Sequence, residues 1–237
     1  MNMILLFDED FTAGESRVRL HGRRLNHVLN IHRATAAEVL KVGLCGGKIG
    51  VGKVITLDEQ KLEMDVSFDH DAPPALPVTL ALALPRPLML KRVLACLSAM
   101  GVKKILLFHS RRVEKSFWKS PVLADAVIRE QLILGLEQAG DTIMPQVKLF
   151  PQFKPFVEDE LPAYSRGTHA FVAHPGSGEP CPANVKEQAT LVIGPEGGLI
   201  PYEVDLFCTN GFKSINIGKR TLRVESAVPA LLAKMFY

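Results

Sequence analysis

Cysteine is sparse in this 237-residue chain. The four that occur, Cys45, Cys96, Cys181 and Cys208, are widely scattered and form no C-x-x-C pair. That pattern suggests neither a zinc cluster nor a disulfide framework, and it fits reduced thiols in a cytosolic protein. Long apolar runs are missing as well. The N-terminal run Met3 to Phe7 meets Asp8, Glu9 and Asp10 at once, too short for the apolar core of a secretion signal. No other stretch approaches the ~20 apolar residues of a membrane span, so a soluble, cytoplasmic protein is expected. A G-x-G-x-x-G fingerprint opening a helix is absent too, which argues against the common dinucleotide-binding folds. There is no internal repeat and no low-complexity tract.

What is present is the composition of an ordinary globular protein: 47% hydrophobic, 22% charged, with 18 Gly and 16 Pro spread along the chain. The net charge of +3 is too small to diagnose a nucleic-acid partner, but its distribution is uneven. From Ser16 to Ala37 there are Arg17, Arg19, Arg23, Arg24 and Arg33 with His21, His27 and His32, and no acid at all. From Lys103 to Lys119 there are Lys103, Lys104, Arg111, Arg112, Lys115 and Lys119 against Glu114 alone. Both stretches suit a phosphate backbone, and the plain alternative is two solvated basic faces.

The clearest boundary is Asp69 to Pro77, where Pro73, Pro74 and Pro77 hold an extended segment. This places a first domain at residues 1–70, a linker at 71–77 and a second domain at 78–237. In the first, Lys61 to Phe68 alternates apolar and polar residues with the period of a half-buried strand, and Gly46, Gly47, Gly50 and Gly52 supply turns. A small β-barrel is expected. In the second, apolar runs at Val78–Leu84, Ile105–Phe108, Gln146–Leu149, Ala170–Ala173, Leu191–Ile193 and Ser214–Ile217 read as strands, several continuous enough to be buried on both faces. Leu90, Val93, Leu94 and Leu97 follow helical spacing with Gly101 to end the helix, and Ser120-Pro121 is expected to cap a helix running to about Gln138. Strands alternating with helices mean an α/β domain with a mostly parallel sheet.

Three segments could carry chemistry. Gly47 to Lys53 imitates a phosphate-binding loop, yet Val54 stands where a magnesium-holding hydroxyl belongs and a strand follows where a helix is needed, so these are read as hairpin glycines. Leu191 to Leu199, LVIGPEGGL, is a buried strand running into Gly194, Pro195, Glu196, Gly197 and Gly198, where the missing side chains let backbone approach a ligand. Ile215 to Leu232, INIGKRTLRVESAVPALL, is a second short strand ending at Gly218, followed by Lys219, Arg220 and Arg223 and a helix opening near Glu225. Two such exits from one parallel sheet describe a ligand crevice.

The pair LVIGPEGGL and IGKRTLRVES resembles the signature of the RsmE family, the SPOUT-class enzymes that methylate N3 of a uridine in small-subunit ribosomal RNA. The resemblance runs over nearly the whole chain, taking in the basic segment Asn26–Arg33, the Gly101-Val102 helix end and the Glu137-Gln138 pair. It implies a PUA-like RNA-binding β-barrel followed by a SPOUT α/β domain with a trefoil knot, S-adenosylmethionine as cofactor, no metal, and two subunits packed across the sites. Carried over by motif, the cofactor would touch Val172, Ala173 and His174, then Gly194, Pro195, Glu196 and Gly197, then Ile215, Asn216, Ile217 and Gly218 with Leu222. Arg223, with Arg220, would stabilise the uracil anion, and Glu196 or Glu225 would orient groups or take the proton. For Glu225 the alternative is an acid favoured by a helix N-terminus. Arg17, Arg19, Arg23, Arg24, Arg33, Arg111, Arg112 and Lys115 are the expected RNA contacts. The chain departs from the family at Leu5, Cys96, Ala99 and Asp141, departures that bear on the RNA-facing side more than on the cofactor crevice. Another RNA target, or a non-catalytic RNA- or ribosome-binding factor of the same fold, stays open.

Overall fold

The computed structural model describes residues 2–12, 16–32, 34–35 and 37–237, so Arg33 lies outside the described residues. Two compact units emerge, one of residues 1–74 with 133–144, the other of 75–132 with 145–237. The expected single division at 71–77 therefore misses a return: Ile133–Met144 packs with the first unit, because Ile133 and Leu136 join Met3, Leu5, Phe7 and Ile49 in one apolar cluster.

The first unit is a five-stranded sheet built from β1 (Ile4–Leu6), β2 (Arg17–Leu20), β3 (Val39–Leu44), β4 (Ile49–Leu57) and β5 (Leu62–His70), in the order β1-β3-β4-β5-β2. Only β1 and β3 run parallel. Among the described residues no ladder joins β1 to β2, so the expected barrel is a half-barrel. Its concave core takes Ile4 and Leu6 of β1 with Val18, Leu20, Val42, Val54, Leu62 and Met64. Side chains alternate across a strand, so Met3, Leu5 and Phe7 face the other way, into the cluster with Ile133 and Leu136. An unbroken apolar run at the N-terminus is thus a strand buried on both faces. The helix α1 (Gly22–His27) follows β2 and buries Leu25.

The glycines that imitate a phosphate loop belong to the β3–β4 hairpin. A Cβ on Gly50 would stand 1.8 Å from the Ser67 carbonyl oxygen across the ladder, and one on Gly52 3.0 Å from Met64 and Val42. Close strand approach, not a ligand, requires them.

The second unit is a six-stranded, all-parallel sheet of β6 (Val78–Ala83), β7 (Lys104–Phe108), β8 (Gln146–Phe150), β9 (His169–Ala173), β10 (Ala189–Ile193) and β11 (Lys213–Ile215), ordered β11-β9-β10-β6-β7-β8. Every residue of β6 and β10 is buried, as continuous apolar strands at the middle of a parallel sheet should be. At the edges, β8 is largely exposed and β11 ends at Ile215, two residues earlier than expected, because Asn216 turns out to pair with the loop after β9.

The helices are α2 (Pro87–Ala99), α3 (Asp125–Ala139), α6 (Pro201–Thr209) and α7 (Val224–Phe236), with short pieces α4 (Phe153–Pro155) and α5 (Pro162–Ser165) after β8. Helix α2 closes at Gly101 in the left-handed conformation, φ +80°, as expected. Helix α3 starts later than Ser120-Pro121 suggests. The Ser120 hydroxyl accepts from the Val122 amide, but it caps a single tight turn, Pro121–Leu123, after which Ala124 is extended and the helix begins at Asp125. Among the described residues no helix is long and apolar enough to cross a membrane.

Candidate active site

Chain order along the sheet reverses between β6 and β10: β6, β7 and β8 step one way, β10, β9 and β11 the other. A crevice opens at the carboxyl ends of strands at such a reversal. Here a cavity of about 300 Å³ lies where β9, β10 and β11 end, at Ala173, Ile193 and Ile215. Its wall is completed by the glycine turn after β10, the loop after β11, and Val224, Ala227 and Leu231 of α7.

The turn after β10 is tight because the Gly198 amide donates to the Pro195 carbonyl at 2.7 Å, with Gly198 at φ +74°. A Cβ on Gly194 would stand 3.0 Å from the Leu199 side chain and 3.1 Å from its backbone nitrogen. Glu196 is exposed at the head of the turn, and its carboxylate accepts from the Arg86 amide at 3.0 Å, at the first turn of α2. A carboxylate at a helix N-terminus is favoured by the unpaired amides and the helix dipole, so Glu196 latches the turn to α2.

The other two exits are laced to each other. The His174 amide donates to the Ile215 carbonyl at 2.9 Å, and the Asn216 side-chain amide donates to the carbonyls of Ser177 and Glu179 at 2.6 and 3.1 Å. Asn216 thus holds the loop after β9 against the end of β11.

Of the residues expected at the cofactor, Ala173, His174, Gly194, Pro195, Glu196, Gly197, Ile215, Asn216, Ile217, Gly218 and Leu222 line this one cavity. Val172 does not: it is 0% exposed inside β9, between Val192 and Ser214 on the neighbouring strands, and supports the site from behind. The four residues expected to do chemistry divide. Arg220 and Glu196 line the cavity, whereas Arg223, at the cap of α7, and Glu225, in its first turn, do not. Neither Arg220 nor Arg223 has a side-chain partner among the described residues.

The cavity also takes residues that sequence reasoning placed elsewhere or missed. Gly198 and Leu199 lie inside the same motif, and Ala227 and Leu231 are one helical turn apart on α7, a spacing that could have flagged them. Arg112, expected on an RNA-facing surface, lines the cavity. No signal within its own segment could have placed it there, because the contact is with a loop 85 residues away.

A second tie fixes that arrangement. Glu203, 2% exposed in the first turn of α6, accepts from the Arg111 amide at 2.7 Å through one oxygen and from the Ile200 amide at 2.9 Å through the other. Nearby, the Trp118 indole donates to His109 Nδ1 at 3.0 Å. Burial pushes the His109 imidazole below its ordinary range, with the Glu203 charge pulling up and Lys115 down. Among the described residues no group of three or more His, Cys, Asp and Glu side chains is placed to hold a metal ion.

A family model of the RNA methyltransferase domain matches residues 72–236, the whole sheet and the cavity with it. The chain belongs to that family. Similar proteins include the ribosomal RNA small subunit methyltransferase E of Treponema pallidum, 26% identical with 98% of this chain and 90% of that protein aligned. The ribosomal RNA small subunit methyltransferase E 1 of Borreliella burgdorferi is 24% identical, with 97% and 95% aligned. In fold, this RNA methyltransferase is similar to the crystal structure of a ribosomal RNA small subunit methyltransferase E from Neisseria gonorrhoeae bound to S-adenosyl methionine. That likeness has a TM-score of 0.75 at 21% identity, covering 98% of this chain and 95% of the other.

The remaining expected RNA contacts separate by unit. In the first, Arg17 pairs with Asp65 at 2.8 Å and Arg19 with Glu63 at 2.8 Å. Arg23 pairs with the buried Glu137 at 2.8 Å, and Arg24 with the buried Asp10 at 2.6 Å. These arginines are each paired with an acid of the same unit; Arg24 is largely covered, while Arg17, Arg19 and Arg23 stay close to half exposed. In the second, the side chains of Arg111 and Lys115 are exposed and have no partner among the described residues.

Proposed function

We propose that this RNA methyltransferase transfers the methyl group of S-adenosylmethionine to N3 of a uridine in small-subunit ribosomal RNA. The observation that carries the reading is the cavity at the ends of β9, β10 and β11, walled by two glycine-rich exits. Its donor set fits that cofactor: glycines 176, 194, 197, 198 and 218 bring bare backbone to it, while Ile193, Leu199, Ile215, Leu222 and Leu231 supply an apolar bed for an adenosine and a thioether. When bound there, S-adenosylmethionine would supply an activated methyl group, whose sulfur–carbon bond breaks as the carbon–N3 bond forms, giving N3-methyluridine, S-adenosylhomocysteine and a released N3 proton.

The chain's own task is to favour loss of that proton. As it leaves, negative charge spreads onto O2 and O4 of the uracil, and a guanidinium donor at either oxygen lowers the barrier; losing one such donor costs about 3 kcal/mol. Arg220 is the first candidate because it lines the cavity. Arg223 and Glu225 flank the start of α7 and act from outside the cavity, Glu225 as proton acceptor or as a helix-dipole acid. Glu196 is assigned to holding the turn rather than to proton transfer, since its carboxylate already accepts from the start of α2.

The wider architecture belongs to the same proposal: a PUA-like first domain, a SPOUT second domain with a trefoil knot, a homodimer in the cytoplasm and the small ribosomal subunit or its RNA as partner. RNA affinity is assigned to Arg111, Arg112 and Lys115 of the second unit. The test has two parts. Calorimetry should detect S-adenosylmethionine binding, and ribosomal RNA nucleosides from a deletion strain should lack part of their N3-methyluridine; an undiminished level rejects the target.

A further inference from the structure

We infer that Arg112 contacts the target nucleotide itself, as a second guanidinium beside Arg220 at the acceptor base. The inference rests on the methyltransferase reading above. The segment Ser110–Val113 is a turn closed by the Val113 amide donating to the Ser110 carbonyl at 3.0 Å; Ser110 and Val113 are buried and the two arginines between them stand out. Glu203 pins the turn through the Arg111 amide. Arg112 then lies along the glycine turn after β10, donating from Nη1 to the Gly197 carbonyl. A Cβ on Gly197 would stand 3.2 Å from both Cβ and Cδ of Arg112, and one on Gly198 3.8 Å from its Nη1.

Two consequences follow. A side chain at Gly197 would press on the arginine stem as well as on the cavity. And a guanidinium has five N–H donors, of which one is committed here, so the group is held in position with donors to spare at the cavity wall. Arg112 is also the one member of the basic run Lys103–Lys119 that reaches the cavity lining, while Arg111 and Lys115 stay on the exposed surface. A polyanion lying on that surface with one base lifted into the cavity would meet Arg112 at the point of entry. The ligand chemistry is an oxyanion, which could come from the uracil or from the carboxylate of the methyl donor; continuity with the basic run favours the uracil.

The test compares wild type with Arg112→Ala and Arg112→Lys, using small subunits from the deletion strain as substrate. For Arg112→Ala, single-turnover methylation at saturating substrates should fall by on the order of 100-fold. S-adenosylmethionine affinity by calorimetry should move by less than roughly threefold. Arg112→Lys keeps the charge and loses the fork, so it should recover part of the rate. Methylation within roughly threefold of wild type in both variants overturns the inference. So does a loss of cofactor affinity that accounts for the lost rate, which would assign Arg112 to the donor's carboxylate. A wild-type protein that binds no S-adenosylmethionine and methylates nothing overturns the underlying reading instead, and that outcome is visible before any variant is made.

Discussion

The chain has two basic stretches that look alike in sequence, and the structure treats them in opposite ways. In the first unit, Arg17 and Arg19 on β2 stand directly opposite Asp65 and Glu63 on β5, and each arginine pairs across the ladder. Opposite charges facing each other on neighbouring strands stabilise the pairing. Arg23 and Arg24 reach carboxylates on Glu137 and Asp10 that are nearly sealed from solvent. In the second unit, Arg111 and Lys115 face outward and Arg112 enters the cavity wall. A window without acids can therefore be charge-paired all the same, when the acids arrive from 48, 44, 114 and 14 residues away.

The largest effect that would test this contrast is on stability. Arg24 makes two bonds to Asp10, donates to the Leu5 carbonyl at 2.8 Å and lies over the Phe7 ring. Arg24→Ala leaves Asp10, 6% exposed, without its counter-charge, and should destabilise the protein by about 3 kcal/mol in urea titrations; a negligible change would mean that the pair is not structural. Next comes RNA binding. Arg111→Ala and Lys115→Ala should each reduce the slope of log affinity against log salt by roughly 0.7 to 0.9, while Arg17→Ala should leave that slope alone. A reversed pattern would return the RNA surface to the first unit.

The smallest effect is on pH dependence. His109 is held below the ordinary imidazole value by burial, so between that lowered value and about 6.5 the unfolded chain binds more protons than the folded one. Its contribution to stability is thus present above about pH 6.5 and lost as pH falls through the folded value. His109→Gln should flatten the acid side of the melting-temperature profile, and an unchanged slope would remove His109 from the account.

Much of this was legible in sequence, for physical reasons that differ by element. The central strands β6 and β10 are apolar throughout because both faces are covered, and a period of one is hard to miss. The two glycine-rich exits announced themselves because a backbone-walled cavity needs residues without side chains, and both meet at the same cavity. What escaped was everything set by partners distant in sequence: the arginine pairs fixed by β2–β5 register, the entry of Arg112, and the placement of Arg223 and Glu225 outside the cavity. Ser120-Pro121 misled for a local reason, since a serine cap serves a single turn as well as a helix.

The return of residues 133–144 to the first unit bears on how the protein can be taken apart. No single cut yields both units whole. A break at the proline segment leaves Ile133, Leu136 and Glu137 on the wrong fragment, stripping Met3 and Leu5 of their apolar cover and Arg23 of its carboxylate. Anyone wishing to graft the half-barrel elsewhere has to carry the tail of α3 along with it.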